Sequence, residues 1–107
     1  MPNILFLCSK NKLRSPTAEA VFSAVENWNV YSAGVSHDAQ VHVSGEDIEW
    51  ADYIFVMEKA HKKKLTSQFG RLIKHQKLIS LDIPDDYDYM DEKLISILKD
   101  KVPRLVN

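Results

Sequence analysis

The amino-acid sequence predicts an α/β domain built on a parallel sheet, and three observations carry that prediction. Four short apolar runs, at residues 4–8, 30–33, 53–57 and 78–81, have the length and composition of buried strands. Helix signals fall between them and after the last, and strands alternating with helices imply right-handed βαβ crossovers with helices on both faces of the sheet. The chain has 107 residues, of which 45% are hydrophobic and only three are Gly and four Pro. That size and balance suit a single domain spanning residues 1–107 around one sheet.

The elements follow in order. Ile4 to Cys8 reads as the first buried strand, and a polar loop runs from Ser9 to Arg14. Ser15-Pro16 opens a helix, because Pro is pre-organised for the first turn, and Ala18, Val21, Phe22 and Val25 recur at helical spacing on its apolar face. Val30 to Ala33 is the second strand, ending at Gly34, and residues 35–43 form an irregular connection. Ser44 and Asp47 have the spacing of a capping box for a short helix reaching about Trp50. Tyr53 to Met57 is the clearest strand, Glu58 to Phe69 a helix stopped at Gly70, and Leu78 to Leu81 the fourth strand. An acidic loop then precedes a last helix that carries Leu94, Leu98 and Val102. Trp28 and Trp50 are expected to pack in the core.

Composition removes several functions. Fourteen Lys and Arg against fifteen Asp and Glu give a net charge of −1, which offers no bulk attraction for nucleic acid. A single cysteine excludes an intrachain disulfide and a Cys-only zinc site. No apolar run approaches the ~18 residues that span a bilayer, and Ile4 to Leu7 is too short for a signal peptide. The expectation is a cytoplasmic domain with no membrane partner, a monomer or a weak dimer.

In parallel α/β sheets, ligands bind beyond the carboxyl ends of the strands. The loop after the first strand, Cys8-Ser9-Lys10-Asn11-Lys12-Leu13-Arg14-Ser15-Pro16, lies there and leads into a helix N-terminus. Such a loop aims amides and the positive end of the helix dipole at one point, which suits a tetrahedral oxyanion. The same field favours the thiolate of Cys8, Arg14 offers a bidentate grip on oxyanion oxygens, and Ser15 offers a hydroxyl to the sulfur. The last loop gathers Asp82, Asp85, Asp86, Asp88, Asp91 and Glu92. Most are solvated surface charges, but one carboxylic acid near a leaving oxygen can supply its proton. His37, His42, His61 and His75 have no metal-ligand spacing and read as surface or packing residues.

The loop CSKNKLRSPTAEA resembles the signature of the low-molecular-weight protein tyrosine phosphatases: Cys, five residues, Arg, then Ser or Thr. The resemblance continues through Tyr31 to Gly34, Ala51 to Met57, and Ile83-Pro84-Asp85-Asp86-Tyr87. It implies a three-layer fold with a four-stranded parallel sheet in the order 2-1-3-4, shortened between the second and third strands. The implied activity is hydrolysis of a phosphorylated protein or a small aryl phosphate through a cysteinyl-phosphate, with no metal or other cofactor. In that reading Cys8 is the nucleophile, Arg14 binds the phosphoryl oxygens and Asp85 is the acid, with Asp82 and Asp86 as alternatives. Ser9, Lys10, Asn11, Lys12, Leu13 and Ser15 line the substrate site, and Tyr87 forms one wall of the cleft.

The chain departs from that pattern in four places. Lys10 stands where the family usually has Gly, and a positive φ there would cost Lys roughly 1 kcal/mol. Leu13 replaces a frequent second Cys, Lys12 replaces an apolar wall, and Asp86 replaces a Pro. Three other readings compete: an arsenate reductase with an external thiol partner, a phosphocysteine carrier, and a non-catalytic phosphate-binding module.

Overall fold

The computed structural model describes residues 1–106. Strands β1 (Asn3–Cys8), β2 (Asn29–Gly34), β3 (Tyr53–Val56) and β4 (Lys77–Ser80) form one parallel sheet in the order β2-β1-β3-β4. Helices α1 (Arg14–Phe22) and α4 (Glu92–Leu105) cover one face, and α2 (Gly45–Trp50) and α3 (Lys59–Phe69) cover the other. The expected three-layer α/β architecture and strand order are those observed.

The two-residue period of β1 distributes its side chains between two cores. Ile4, Phe6 and Cys8 join Phe22, Phe55, Leu94, Leu98 and Val102 on one face. Leu5 and Leu7 join Ile48, Ile54, Val56 and Leu65 on the other. Every side chain from Ile4 to Leu7 is fully buried, as expected of a central parallel strand. Ser44 and Asp47 form the expected capping box at α2.

Several local expectations are corrected. Helix α1 stops at Phe22, so Val25 lies beyond it and is exposed. Gly70 is not a left-handed stop; its φ of −52° continues α3 into a short 3-10 turn, Gly70–Leu72. Trp28 packs against Phe22 as expected, but Trp50 is 37% exposed and meets Tyr31 edge-on at the surface. Among the described residues no helix is long and apolar enough to cross a membrane.

Candidate active site

The carboxyl end of β1 delivers Cys8 to the floor of a cavity of about 170 Å³ lined by Cys8, Ser9, Lys10, Lys12, Leu13, Arg14 and Asp85. The loop above it is shaped from outside. Its carbonyls at Cys8, Ser9 and Lys10 accept hydrogen bonds from the amides of Val35, Ser36 and Gln40, at 2.9–3.0 Å. Residues 35–43, read from sequence as a mere connection, are therefore the brace of this loop. Among the described residues, no amide from Ser9 to Ser15 donates to a backbone carbonyl outside regular elements, and no side chain caps α1. These are the groups that an anion at a helix N-terminus satisfies.

Gly34 permits this close approach. A Cβ there would lie 2.6 Å from the Ser9 carbonyl oxygen and 2.6 Å from Ala39 Cβ, both closer than real contacts allow. The conformational burden in the loop falls on Asn11, whose φ is 57°, and not on Lys10. Asn tolerates that region, so Lys10 carries none of the strain considered for it. Lys10 Nζ instead lies 3.4 Å from Asp38 Oδ2 on the bracing segment. The carboxyl of Asp38 is held below its usual range, first by the Ser36 hydroxyl and then by Lys10.

A directed hydrogen-bond chain lies beneath the sulfur. Ser32 Oγ donates to Glu19 Oε1, and Asn11 Nδ2 donates to both Ser32 Oγ and Ser15 Oγ at 3.0 Å. Ser15 Oγ lies 3.0 Å from Cys8 Sγ and 3.3 Å from the Ala33 carbonyl. With a thiol, the Ser15 hydroxyl donates to Ala33 and accepts from sulfur; with a thiolate, its single proton turns to sulfur. The Asn11 donor polarises Ser15 for that second arrangement. Asn11 and Ser15 thus sit behind the cavity lining as supports.

Arg14 is 3% exposed and tightly held. Its Nη1 donates to Glu58 Oε2 at 2.6 Å and to the Ile83 carbonyl at 2.8 Å. Both hydrogens on that nitrogen are spent, which leaves the Nε–Nη2 edge for a bidentate grip. Asp85 Oδ1 lies 3.7 Å from Nε on that edge. Glu58 follows β3 and in turn receives a neighbour: its amide donates to His61 Nδ1 at 3.1 Å. Nδ1 as acceptor places the imidazole proton on Nε2, 3.8 Å from Glu58 Oε2. Burial, and next the Arg14 charge, lower the His61 pKa from its ordinary 6.5.

The acidic segment is pinned at two points. The Ile83 amide donates to Met57 O at 2.8 Å, and the Met90 amide to Thr17 Oγ1 at 2.9 Å. Between them Asp85 reaches the cavity, whereas Asp86 is not on its lining. Asp82, with φ 55°, accepts from Ser80 Oγ at 2.7 Å and lies on the β4 side. Tyr87 is half-buried against the α1–α4 core and is not among the side chains lining the cavity. Sequence reasoning did not single out Glu58, Ser32 or Glu19. Of these only Glu58 carried a signal, an acid at the carboxyl end of a buried strand. Among the described residues no cluster of three or more His, Cys, Asp or Glu could hold a metal ion.

Residues 3–44 match the family model for low molecular weight phosphotyrosine protein phosphatase. A protein-arginine-phosphatase of Bacillus subtilis (strain 168) is 36% identical over 96 residues, and the match spans 64% of this chain and 64% of that protein, under two thirds of its length. Among solved structures, a YwlE arginine phosphatase mutant with a phosphorylated active site serine superposes with a TM-score of 0.72 at 25% identity, covering 97% of this chain and 99% of that one. The low molecular weight protein tyrosine phosphatase of Streptococcus pyogenes gives a TM-score of 0.79 at 18% identity, covering 100% of this chain and 95% of that one, a likeness of fold. With the Cys-x5-Arg-Ser loop at the head of this sheet, the chain is similar to the low-molecular-weight phosphotyrosine phosphatases in residues 3–44 and in fold.

Proposed function

We propose that the protein is a cysteine-dependent phosphatase that hydrolyses phosphomonoesters on proteins, with tyrosine phosphate as the preferred class. The observation that carries this reading is the convergence on one small cavity of Cys8 Sγ, the uncapped start of α1, the Nε–Nη2 edge of Arg14 and the Asp85 carboxyl. In the first step the Cys8 thiolate attacks phosphorus, the S–P bond forms and the P–O bond to the leaving group breaks. Asp85 transfers its proton to the departing oxygen. Arg14 and the loop amides hold the equatorial oxygens where negative charge is concentrated. Water then attacks the cysteinyl-phosphate, Asp85 takes its proton, and inorganic phosphate leaves with the thiolate restored. The Ser15 hydroxyl stabilises that thiolate in both steps. The phosphorylated active site serine of the related mutant is consistent with attack by the residue at the head of this loop.

Lys10 and Lys12 on the cavity lining bear on the substrate. A phosphoarginine side chain brings a cationic guanidinium, which the Lys12 ammonium repels, whereas a phosphotyrosine ring is neutral; the Lys10 ammonium is already paired with Asp38. The arginine-phosphatase activity named for the relative is therefore the second reading for this chain. The chain's single cysteine gives arsenate chemistry no intramolecular thiol relay, and a lone nucleophilic thiol suits the reducing cytoplasm.

The test is hydrolysis of an aryl phosphate between about pH 5 and 7, in reductant without added metal, beside phosphotyrosyl and phosphoarginyl peptides. Turnover in the wild type and its loss by about 10⁴-fold or more in Cys8→Ser is the expected result. A wild type that binds phosphate or vanadate but turns over none of the three substrates overturns the catalytic reading. Faster turnover of phosphoarginine establishes the second reading.

A further inference from the structure

A cleft of about 870 Å³ lies apart from Cys8, between α3 and the outer strand β4. Lys59, Lys62, Lys63, Thr66 and Ser67 line one wall at i, i+3, i+4, i+7 and i+8, one face of α3. The buried side of that helix is narrow, with His61 and Leu65. None of the three lysines makes an ion pair among the described residues. The one carboxylate on the lining is Asp82, which accepts from Ser80. A chain of net charge −1 thus concentrates unpaired cations along one groove. The opposite wall is Leu78, Ile79 and Ser80, consecutive residues of a strand that ends the sheet and pairs on one side only.

The groove runs toward the catalytic cavity. Lys59 and Asp82 also line a smaller cleft with Glu58, Ala60 and Pro84. Glu58 holds Arg14, and Pro84 precedes Asp85. We propose that this groove docks an acidic segment of the phosphoprotein substrate, adjacent in sequence to the phosphorylated residue. The proposal rests on the phosphatase reading of the Cys8 cavity and adds the substrate's flanking chemistry to it. A peptide fits better than a nucleic acid. The strand edge offers main-chain hydrogen bonds to another backbone, Leu78 and Ile79 offer apolar contact, and no aromatic ring lines the cleft to stack a base.

The experiment compares matched phosphotyrosyl peptides with acidic and alanine flanks, and a small aryl phosphate, on the wild type, Lys62→Gln/Lys63→Gln and Lys62→Glu/Lys63→Glu. The wild type is expected to favour the acidic flank about tenfold in kcat/KM, mostly through KM, with the gap closing by about 0.5 M salt. The Gln pair removes most of the preference and the Glu pair abolishes it, while aryl phosphate hydrolysis is unchanged in both. Equal turnover of the two peptides by the wild type, or a preference that survives charge reversal, overturns the proposal. If the wild type hydrolyses no substrate, the failure lies with the catalytic reading. The groove is then read by fluorescence anisotropy of the unphosphorylated acidic peptide, where absence of binding, or binding indifferent to charge reversal, overturns it. Tighter binding of an oligonucleotide of equal charge, or self-association in sedimentation that charge reversal abolishes, also overturns it.

Discussion

Two segments meet over Cys8, and they are built in opposite ways. The loop from Cys8 to Ser15 keeps Asn11, Arg14 and Ser15 almost wholly buried, and each has polar partners. Among the described residues no buried side-chain nitrogen or oxygen lacks a hydrogen bond. The segment from Asp82 to Asp91 is mostly exposed side chains hung between two anchors, Ile83 and Met90. Under the proposed mechanism the difference follows from the work each segment would have to do. A nucleophile and an oxyanion site gain from a fixed field, whereas an acid has to meet leaving groups of varied shape. The positions where single substitutions are most consequential should therefore differ in kind between the two segments.

The sharpest test of the exposed side is Asp85→Asn, expected to lower kcat by about 10²–10⁴-fold on an aryl phosphate with a poor leaving group. Asp82→Asn, on the β4 side, should stay within about twofold. Equal losses in both would break the distinction between one aimed carboxyl and its solvated neighbours. On the braced side, Glu58→Ala leaves Arg14 with the Ile83 carbonyl as its remaining partner on Nη1. Turnover should fall about 10- to 100-fold while Cys8 still reacts with iodoacetate, because a displaced guanidinium grips the oxyanion poorly. Unchanged turnover would show that Ile83 and the loop suffice to hold it.

Gly34→Ala probes the brace itself. The added methyl cannot fit against Ser9 O and Ala39, so the variant should lose about 1–3 kcal/mol in denaturant unfolding and bind phosphate more weakly. A normal midpoint would mean that residues 35–43 yield easily.

His61 gives a smaller, pH-dependent effect. Its pKa is lowered in the folded state, so between the folded value and 6.5 the unfolded chain binds more protons. Stability is then full above pH 6.5 and declines as pH falls through that window. Protonation of Nδ1 also removes the acceptor for the Glu58 amide. His61→Asn, which keeps an acceptor but does not titrate, should flatten this part of the Tm–pH curve, and an unaltered slope would assign it elsewhere. The smallest effect is expected for Lys10→Gly. Since Lys10 lies outside positive φ, Gly should not stabilise the loop and should cost up to about 1 kcal/mol through unfolded-state entropy. A gain in stability would reveal strain at Lys10 after all.

The strands were legible because a parallel sheet buried on both faces demands unbroken apolar runs, and Ile4 to Leu7 and Tyr53 to Val56 are such runs. The Cys8–Arg14 spacing was legible because loop and helix start are contiguous in the chain, so six residues of separation determine their relation. Local chemistry also sufficed for the Ser44–Asp47 cap. The remaining features depend on contacts between distant residues. Glu58 meets Arg14 across 44 positions, Ile83 meets it across 69, and Asn11 reaches Ser32 across 21. No short-range pattern encodes such meetings, which arise when strand order brings the carboxyl ends of the four strands side by side. The same holds for Asp85 among six neighbouring acids: composition supplies the carboxyls, and the tertiary structure puts Asp85, but none of the other five, on the lining of the cavity that holds Cys8.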